Sequence, residues 1–270
     1  MKIFAFDLDG TLLEDSGEIH PGTKKVLDLA VKKGHKLILA TGRGLSAVLP
    51  FLEKVSGIEY LICSNGSVLF DVKNSKVKNL KPLEMDVYED FVQEAKNNEN
   101  IFFSANGIQN IFVINTFPPL EEKYDQNYIK ELLKGTIPVE DEYAREKLEE
   151  DVFIQAALKS DEITIKHLYE KYREKYGDKY SIVITNKVYL DINPLNASKY
   201  NALIVALKNM NKNEGDLISF GDSNNDLDMV KNSSKGYAMQ HATEQLKKVA
   251  TEVIGTNNSD TIGKKLLELI

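Results

Sequence analysis

Polar residues that could carry out chemistry follow three short apolar runs of the sequence. The segments are DLDGT at 7–11, TGR at 41–43 and GDSNND at 221–226. Any one of them alone could be an ordinary turn. Ligands bind at the carboxyl ends of the strands in a parallel sheet, so we expect three segments in this position to meet at one edge.

Carboxylates are the reactive groups that these segments share. Asp7 and Asp9 are two residues apart, so their side chains point to the same side of an extended chain, and Asp222 adds a third carboxylate. Like charges at close range repel each other unless a cation neutralises them. Mg²⁺ suits such a site because it binds few carboxylates and keeps several waters. Zinc does not suit the site, because the chain has only one cysteine and the histidines (20, 35, 167 and 241) are scattered along it.

Lys199 is expected at a position where a bound anion would account for its charge. Ser198 is expected to cap a helix, which places Lys199 in the first turn, where a cation opposes the helix dipole. A phosphate at the start of this helix would explain the lysine. For this residue alone, a solvated surface lysine is the simpler explanation.

Strands and helices that could position these residues alternate along both ends of the chain. Short apolar runs, which suit strands buried on both faces of a parallel sheet, lie at 3–6, 37–40, 60–63 and 217–220. Apolar residues at helical spacing predict helices over 22–33 and 198–210. This alternation predicts an α/β fold with right-handed crossovers.

The middle of the chain has a different pattern. Two β-rich runs around Asn106-Gly107 predict a hairpin over 101–115. Helices are expected near 84–98, 121–134 and 161–176, and strands at 152–158 and 180–185. We therefore expect an α+β module at 83–188, inserted into an α/β domain formed by 1–82 and 189–270. The module carries 22 acidic and 13 basic side chains, which sets it apart from the slightly basic remainder.

Composition excludes several classes of protein. The 270 residues are 42% hydrophobic, which is ample for the core of one large or two ordinary domains. The net charge of −7 disfavours nucleic acid as a partner. The lone Cys63 can form no internal disulfide, which fits a reducing compartment. No apolar run is long enough for a membrane span or a signal peptide, so we expect a cytoplasmic protein.

Four segments, taken in order, resemble the motifs of the haloacid dehalogenase (HAD) superfamily of phosphotransferases. DLDGT at 7–11 resembles the first motif, the strand end at Thr41 the second, Ser198-Lys199 the third and GDSNND at 221–226 the fourth. The predicted insert resembles the large α/β (type II) cap of the Cof-type branch. The resemblance implies a Rossmann-like parallel-sheet core with an inserted α+β cap that closes over the site and selects the leaving group.

The same resemblance implies a Mg²⁺-dependent phosphatase that passes a phosphoryl group from a small phosphate ester to Asp7 and then to water. Asp7 would be the nucleophile, and Asp9 the general acid and base. The Mg²⁺ ligands would be Asp7, Asp9 through its backbone carbonyl, Asp222 and, through water, Asp226. The phosphate ligands would be the Leu8 amide, the Thr41 hydroxyl, the Gly42 amide, Lys199 and Asn225.

Three further residues near these segments have expected roles. Thr11 could hold Asp9 by a hydrogen bond. Arg43 could bind the phosphate or pair with a helix end, and we favour the second, structural role. Asn65, followed by Gly66 after the third apolar run, is typical of a turn and could also face the substrate.

Two alternatives stay open. A sugar phosphomutase of the phosphomannomutase kind would return the phosphate to the sugar, but it should need a cationic cap, and the predicted cap is acidic. A non-catalytic phosphometabolite-binding protein is the second alternative. The presence of Asp7, Asp9, Lys199 and Asp222 together counts against it. The size of the cap favours small substrates such as sugar phosphates.

Overall fold

The computed structural model describes residues 1–79, 82–108, 110–114 and 137–270. The chain separates into two compact units. The first unit comprises Met1–Arg43, Val48–Lys78 and Ala197–Ile270, and the second comprises Gly44–Ala47 and Asn79–Asn196. The helix predicted near 121–134 lies outside the described residues.

The described strands and helices follow one another in a largely alternating order. The strands are β1 Ile3–Phe6, β2 Lys36–Ala40, β3 Ile58–Cys63, β4 Val68–Asp71, β5 Lys76–Asn79, β6 Phe102–Asn106, β7 Ile111–Ile114, β8 Ile137–Val139, β9 Gln155–Lys159, β10 Tyr180–Thr185, β11 Tyr189–Pro194, β12 Leu217–Gly221, β13 Lys235–Ala238 and β14 Glu252–Val253. The α-helices are α1 Pro21–Lys32, α2 Leu45–Val48, α3 Phe51–Lys54, α4 Met85–Asn97, α5 Asp141–Glu150, α6 Glu162–Tyr176, α7 Lys199–Asn209, α8 Leu227–Asn232, α9 Glu244–Val249 and α10 Thr261–Leu269.

The first unit is built on an eight-stranded sheet with the order β14-β13-β12-β1-β2-β3-β4-β5. Its six strands from β14 to β3 pair in parallel. The four apolar runs predicted as strands are confirmed in β1, β2, β3 and β12. The predicted α/β class with a parallel-sheet core is therefore confirmed.

Strand β1 lies between β12 and β2 in this sheet. Phe6, its last residue, stands opposite Phe220 of β12 and Leu39 of β2. All four residues of β1 are fully buried, which explains why the strand reads as a continuous apolar run and not as an alternating one. Because all three strands run in parallel, the segments that follow them leave the sheet at the same edge.

Helix α7 begins at the residue that the sequence predicts. The Ser198 hydroxyl accepts the backbone N–H of Asn201 at 3.1 Å, as an N-cap residue should. Leu203, Ala206 and Leu207 are buried in the core against the sheet, which gives the helix its direction. The N-cap and the apolar face of α7 together determine the position of Lys199 at the start of the helix.

Replacing Ser198 with alanine is expected to lower the free energy of unfolding by about 1 kcal/mol, because the N–H of Asn201 then loses its acceptor. Glycine at the same position should cost only a few tenths of a kcal/mol. Urea denaturation of the two variants and of the wild type measures both values. An alanine variant as stable as the glycine variant would show that the cap does not stabilise this helix.

The second unit is built on a six-stranded sheet with the order β10-β11-β9-β6-β7-β8. The predicted hairpin is confirmed, since β6 and β7 are antiparallel and Asn106 stands opposite Ile111. The helices predicted near 84–98 and 161–176 are confirmed as α4 and α6. Aromatic side chains fill the core of this unit: Tyr88, Phe91, Phe103, Phe112, Phe153 and Tyr172 are all buried.

The second unit extends beyond the predicted boundary at 188. Strand β11 at 189–194 was predicted to belong to the first domain, and instead it pairs antiparallel with β10 and β9. A tight turn with positive φ at Asn186 and Lys187 returns the chain into the same sheet. The sequence did not mark this turn with a glycine or a proline, which is why the boundary was placed too early.

Helix length and composition also bear on the membrane prediction. Among the described residues, no helix combines the length and the apolar character that crossing a bilayer requires.

Candidate active site

Asp7 is the first residue beyond β1 at the carboxyl edge of the first unit's sheet. Its backbone N–H donates to the Phe220 carbonyl at 3.0 Å, so the parallel pairing with β12 continues to this point. Thr41 extends β2 in the same way, with its N–H donating to the Ile62 carbonyl at 2.8 Å. Asp222 directly follows β12. The three polar segments therefore meet at one edge, as expected.

Three carboxylates form a compact cluster at this edge. Asp7, Asp222 and Asp226 each offer an oxygen that lies within 4.8 Å of the others. Burial raises the pKa of Asp7 well above its ordinary value; Lys199 opposes this effect, while Asp226 and Asp222 add to it. Carboxylates held this close together are suited to bind a divalent cation.

Lys199 is buried among these carboxylates. Its Nζ lies 2.7 Å from an oxygen of Asp7 and 2.7 Å from an oxygen of Asp226. The lysine side chain has no exposed surface. Burial alone would lower the pKa of Lys199, but Asp226 and Asp7 together raise it above its ordinary value. The lysine predicted from the third motif therefore stays charged beside the predicted nucleophile.

Asp226 supports the loop after β12. One carboxylate oxygen accepts the backbone N–H groups of Asp222 and Ser223 at 3.0 and 3.1 Å, and the other accepts from Lys199. Its side chain is fully buried. Both oxygens of Asp226 therefore already bind groups of the protein, and its indirect role at a metal ion stays a prediction.

The sequence predicted a hydrogen bond from Thr11 to Asp9, but Thr11 binds Asp222 instead. Its Oγ1 donates to a carboxylate oxygen of Asp222 at 3.1 Å. Gly10 has a φ of 80° and lies against Asp222, so close that an added Cβ would stand 2.9 Å from the carboxylate. This turn brings Thr11 towards Asp222, which a reading of the local sequence could not reveal.

Asp222 has a perturbed pKa in this environment. Burial, together with the charge of Asp226, raises the pKa of Asp222 to about 6. Lys199, the hydrogen bond from Thr11 and His241 act in the opposite direction. His241, one of the four scattered histidines, has its Nε2 close to Gly10.

Asp9 and Asp7 stand in different environments although they are two residues apart. The side chain of Asp9 is 51% exposed, whereas that of Asp7 is 7% exposed. The Arg43 guanidinium binds the Asp9 carboxylate with two hydrogen bonds, of which the one from Nε measures 2.7 Å. Arg43 therefore has a direct partner in Asp9, and the structural role expected from the sequence stays a prediction.

The predicted phosphate ligands surround the same edge. Leu8 is fully buried and follows Asp7 in the loop. The Thr41 hydroxyl accepts the backbone N–H of Arg43 at 3.1 Å. Gly42 and Asn225 both lie against the side chain of Asn65, whose Oδ1 accepts from Asn225 Nδ2 at 2.9 Å. The sequence predicted Asn65 first as a turn residue. Its position directly after a strand that ends at this edge is the sequence feature that could have placed it in the site.

Comparisons with known proteins agree with this geometry. Residues 4–266 match the haloacid dehalogenase-like hydrolase family. The chain is 26% identical to 5-amino-6-(5-phospho-D-ribitylamino)uracil phosphatase YcsE of Bacillus subtilis (strain 168), over 98% of this chain and 94% of that protein. The name of this relative agrees with the predicted enzyme class, a phosphatase.

Solved structures share the fold. A haloacid dehalogenase-like hydrolase from B. subtilis has a TM-score of 0.82 at 21% identity, with 100% of both chains covered. A sugar phosphatase of HAD subclass IIB has a TM-score of 0.80 at 20% identity, with 100% of this chain and 99% of that chain covered. Since the family match spans nearly the whole sequence, the chain belongs to the haloacid dehalogenase-like hydrolase family.

Proposed function

We propose that this protein is a Mg²⁺-dependent phosphatase that hydrolyses small phosphate monoesters through an aspartyl-phosphate on Asp7. The observation that carries the proposal is the buried contact of Asp7 with Lys199, beside Asp222 and Asp226. A carboxylate oriented by a fixed cation can attack phosphorus, and the lysine can offset the charge of the phosphoryl oxygens.

In the first half-reaction, a carboxylate oxygen of Asp7 bonds to phosphorus as the ester P–O bond breaks. The leaving oxygen takes a proton from Asp9, so that an alcohol departs. Arg43 orients the Asp9 carboxylate through its paired hydrogen bonds. Asp7 is buried beside the Lys199 ammonium, which orients it for attack, whereas the half-exposed Asp9 can exchange a proton with the leaving group and with water.

In the second half-reaction, water attacks the phosphorus of the aspartyl-phosphate and gives a proton to Asp9. The bond between phosphorus and the Asp7 oxygen breaks, which restores the Asp7 carboxylate and releases phosphate. The phosphoryl oxygens would be bound by the Leu8 and Gly42 amides, Thr41, Lys199 and Asn225. These groups act by position and charge, on which phosphoryl transfer chiefly depends.

Asp7, the carbonyl of Asp9 and Asp222 would hold Mg²⁺, with Asp226 behind them. The three clustered carboxylates support this, because a dense group of oxygens with raised pKa values for Asp7 and Asp222 is suited to a hard cation. When bound, the ion supplies positive charge that keeps the carboxylates ionised and offsets charge on the phosphoryl group.

The substrate class rests on relatives. One relative is named as the phosphatase of a phosphoribitylamino uracil, and one structural neighbour is a sugar phosphatase. Both names describe phosphate esters of polyhydroxylated carbon chains. We extend this chemistry to the present chain and assign it small sugar or polyol phosphates, with the second unit as the cap that selects the leaving group. The lone buried thiol of Cys63 supports a cytoplasmic setting.

Phosphate release from a panel of esters tests the proposed function. The panel contains sugar phosphates, nucleotides, pyridoxal phosphate and flavin mononucleotide, each with Mg²⁺ or with EDTA. Release that requires Mg²⁺ is the expected result, and the ranking of the esters identifies the leaving group. The same reactions are analysed for isomerised sugar phosphate. An isomer without free phosphate would establish a mutase, and no turnover of any ester would contradict catalysis.

Mg²⁺ binding is expected to weaken as the pH falls through about 6, the pKa of Asp222 in the metal-free protein. Below this value the carboxyl carries a proton that the ion must displace, so the apparent Kd should rise about tenfold per pH unit for one proton. Isothermal titration calorimetry in buffers of different ionisation enthalpy measures both the Kd and the proton release.

Thr11→Val is the matched variant for this pH dependence. The hydrogen bond from Thr11 lowers the pKa of Asp222, so its loss should move the weakening of Mg²⁺ binding to higher pH. A Kd that is equal at about pH 5 and about pH 7 in the wild type would contradict a proton-linked site.

A further inference from the structure

The turn after β3 has an unusual backbone. Ser64, Asn65 and Gly66 have φ values of 47°, 53° and 98°, so three successive residues adopt left-handed conformations. Asparagine tolerates this region better than most residues, and glycine adopts it freely, but serine does not. Such a run persists only where the surrounding structure holds it in place, and strain of this kind clusters at functional sites.

This turn contacts the segments that carry the second and third motifs. The Ser64 and Asn65 N–H groups donate to the carbonyls of Arg43 at 2.9 Å and Thr41 at 3.1 Å. Gly66 packs on the residue before Lys199, because an added Cβ would lie 2.2 Å from the Ser198 carbonyl oxygen. The turn is therefore fixed on two sides by the backbone of the proposed site.

The Asn65 side chain lies between two proposed phosphate ligands. It is 4% exposed, and its Oδ1 accepts from Asn225 Nδ2 at 2.9 Å. The same oxygen would stand 3.2 Å from a Cβ built on Gly42. Asn65 thus contacts the segments of the second and fourth motifs with one carboxamide.

Unpaired polar atoms concentrate around the same turn. Among the described residues, five buried side-chain oxygens have no hydrogen-bond partner, and three of these are Ser64 Oγ, Ser67 Oγ and Asn225 Oδ1. Buried polar groups of this kind cost stability, and in native proteins each calls for a reason. A strained turn with unpaired polar neighbours at the edge of the site is the pattern of a functional constraint.

We propose that Asn65 is a positioning residue that fixes which end of the Asn225 carboxamide faces the phosphoryl group. This inference rests on the proposed function. The NH₂ group of Asn225 has two hydrogens, and Asn65 Oδ1 takes one of them. The second hydrogen is then presented to a phosphoryl oxygen on Asp7.

The need for such a residue follows from the shape of a carboxamide. Its oxygen and nitrogen ends are nearly equal in size, so packing alone does not distinguish them. If the Asn225 side chain turned over, its oxygen would face the phosphoryl oxygens and repel them. With its Oδ1 facing Asn225, Asn65 removes this alternative, because only the NH₂ end of Asn225 can then donate to it.

A double-mutant cycle tests this role. Asn65→Gly removes the carboxamide but keeps a residue that adopts positive φ without strain, so the turn should survive. We expect kcat/KM to fall about tenfold to a hundredfold in Asn65→Gly and in Asn225→Ala, with similar thermal unfolding to the wild type. The double variant should be no worse than Asn225→Ala, because Asn65 acts through Asn225.

Asn211→Gly is the matched control. Asn211 belongs to the first unit and has a φ of 55°, so the same substitution at the same backbone conformation should leave kcat/KM unchanged. The inhibition constant of inorganic phosphate gives a second reading, and it should rise in Asn65→Gly but not in Asn211→Gly.

The outcomes separate this inference from the proposed function. Losses that multiply in the double variant, or an Asn65→Gly variant with wild-type kcat/KM, would overturn the positioning role while the phosphatase assignment stands. If the wild type hydrolyses no ester, the proposed function fails. The positioning role is then tested only by calorimetric binding of inorganic phosphate. Weaker binding in Asn65→Gly and in Asn225→Ala would then support the positioning role, and equal affinity in all three proteins would overturn it.

Discussion

Replacing Asp7 with asparagine is expected to lower kcat/KM by at least about a thousandfold for every ester that the wild type hydrolyses. The amide is a poor nucleophile, so no aspartyl-phosphate can form. Acid-quenched wild-type protein should carry a phosphoryl group on the peptide that contains Asp7, and mass spectrometry should detect none there in the variant. Phosphate release under saturating Mg²⁺ measures the loss of rate.

The control for this substitution is Asp28→Asn. Asp28 is a half-buried carboxylate on α1 in the same unit and accepts a hydrogen bond from Ser56, so its conversion to an amide should leave the rate unchanged. Calorimetric Mg²⁺ binding to the Asp7 variant then shows whether the loss comes from the nucleophile or from the metal site. An Asp7→Asn variant that keeps a tenth or more of the wild-type rate would exclude Asp7 as the nucleophile.

Replacing Lys199 with methionine is expected to reduce the free energy of unfolding by about 3–5 kcal/mol and to abolish turnover. The methionine side chain resembles the apolar stem of lysine, but Asp7 and Asp226 would stay buried without the ammonium that lies 2.7 Å from each. Leaving a charge buried and unpaired is among the most destabilising single changes. Urea denaturation in EDTA measures the change without any contribution from bound metal.

Two further variants isolate the charge. Lys208→Met removes an exposed lysine from the same helix and should change stability by less than about 0.5 kcal/mol. Adding Asp226→Asn to Lys199→Met should recover part of the stability, because one of the two unpaired carboxylates becomes neutral. If Lys199→Met were as stable as the wild type, the ion pairs at the centre of the site would carry no net stabilisation.

Residues that are neighbours along the chain are enough to predict several elements of the structure. Strands β1, β2, β3 and β12 were predictable because strands buried on both faces must be continuously apolar. The start of α7 was predictable because Ser198 caps its own helix. Most helices and strands described in the second unit were predictable in the same way, from apolar spacing and turn residues.

The membership of the candidate site was predictable as far as it follows from the order of the strands in the sheet. The polar segments after β1, β2 and β12 were recognisable as sequence motifs. Their meeting at one edge follows because β1 lies between β12 and β2 and pairs in parallel with both. The residue types that form the carboxylate cluster and its lysine were therefore identified before their geometry.

The hydrogen-bond partners of the polar side chains are visible only in the folded chain. The fold pairs Thr11 with Asp222, Arg43 with Asp9 and Asn65 with Asn225. It also assigns β11 to the second sheet. These partners lie far apart in the chain, and small differences in register and in the turns after each strand decide which polar atoms come within hydrogen-bond distance. Local sequence sets backbone preference and burial, whereas such contacts depend on how distant segments pack together.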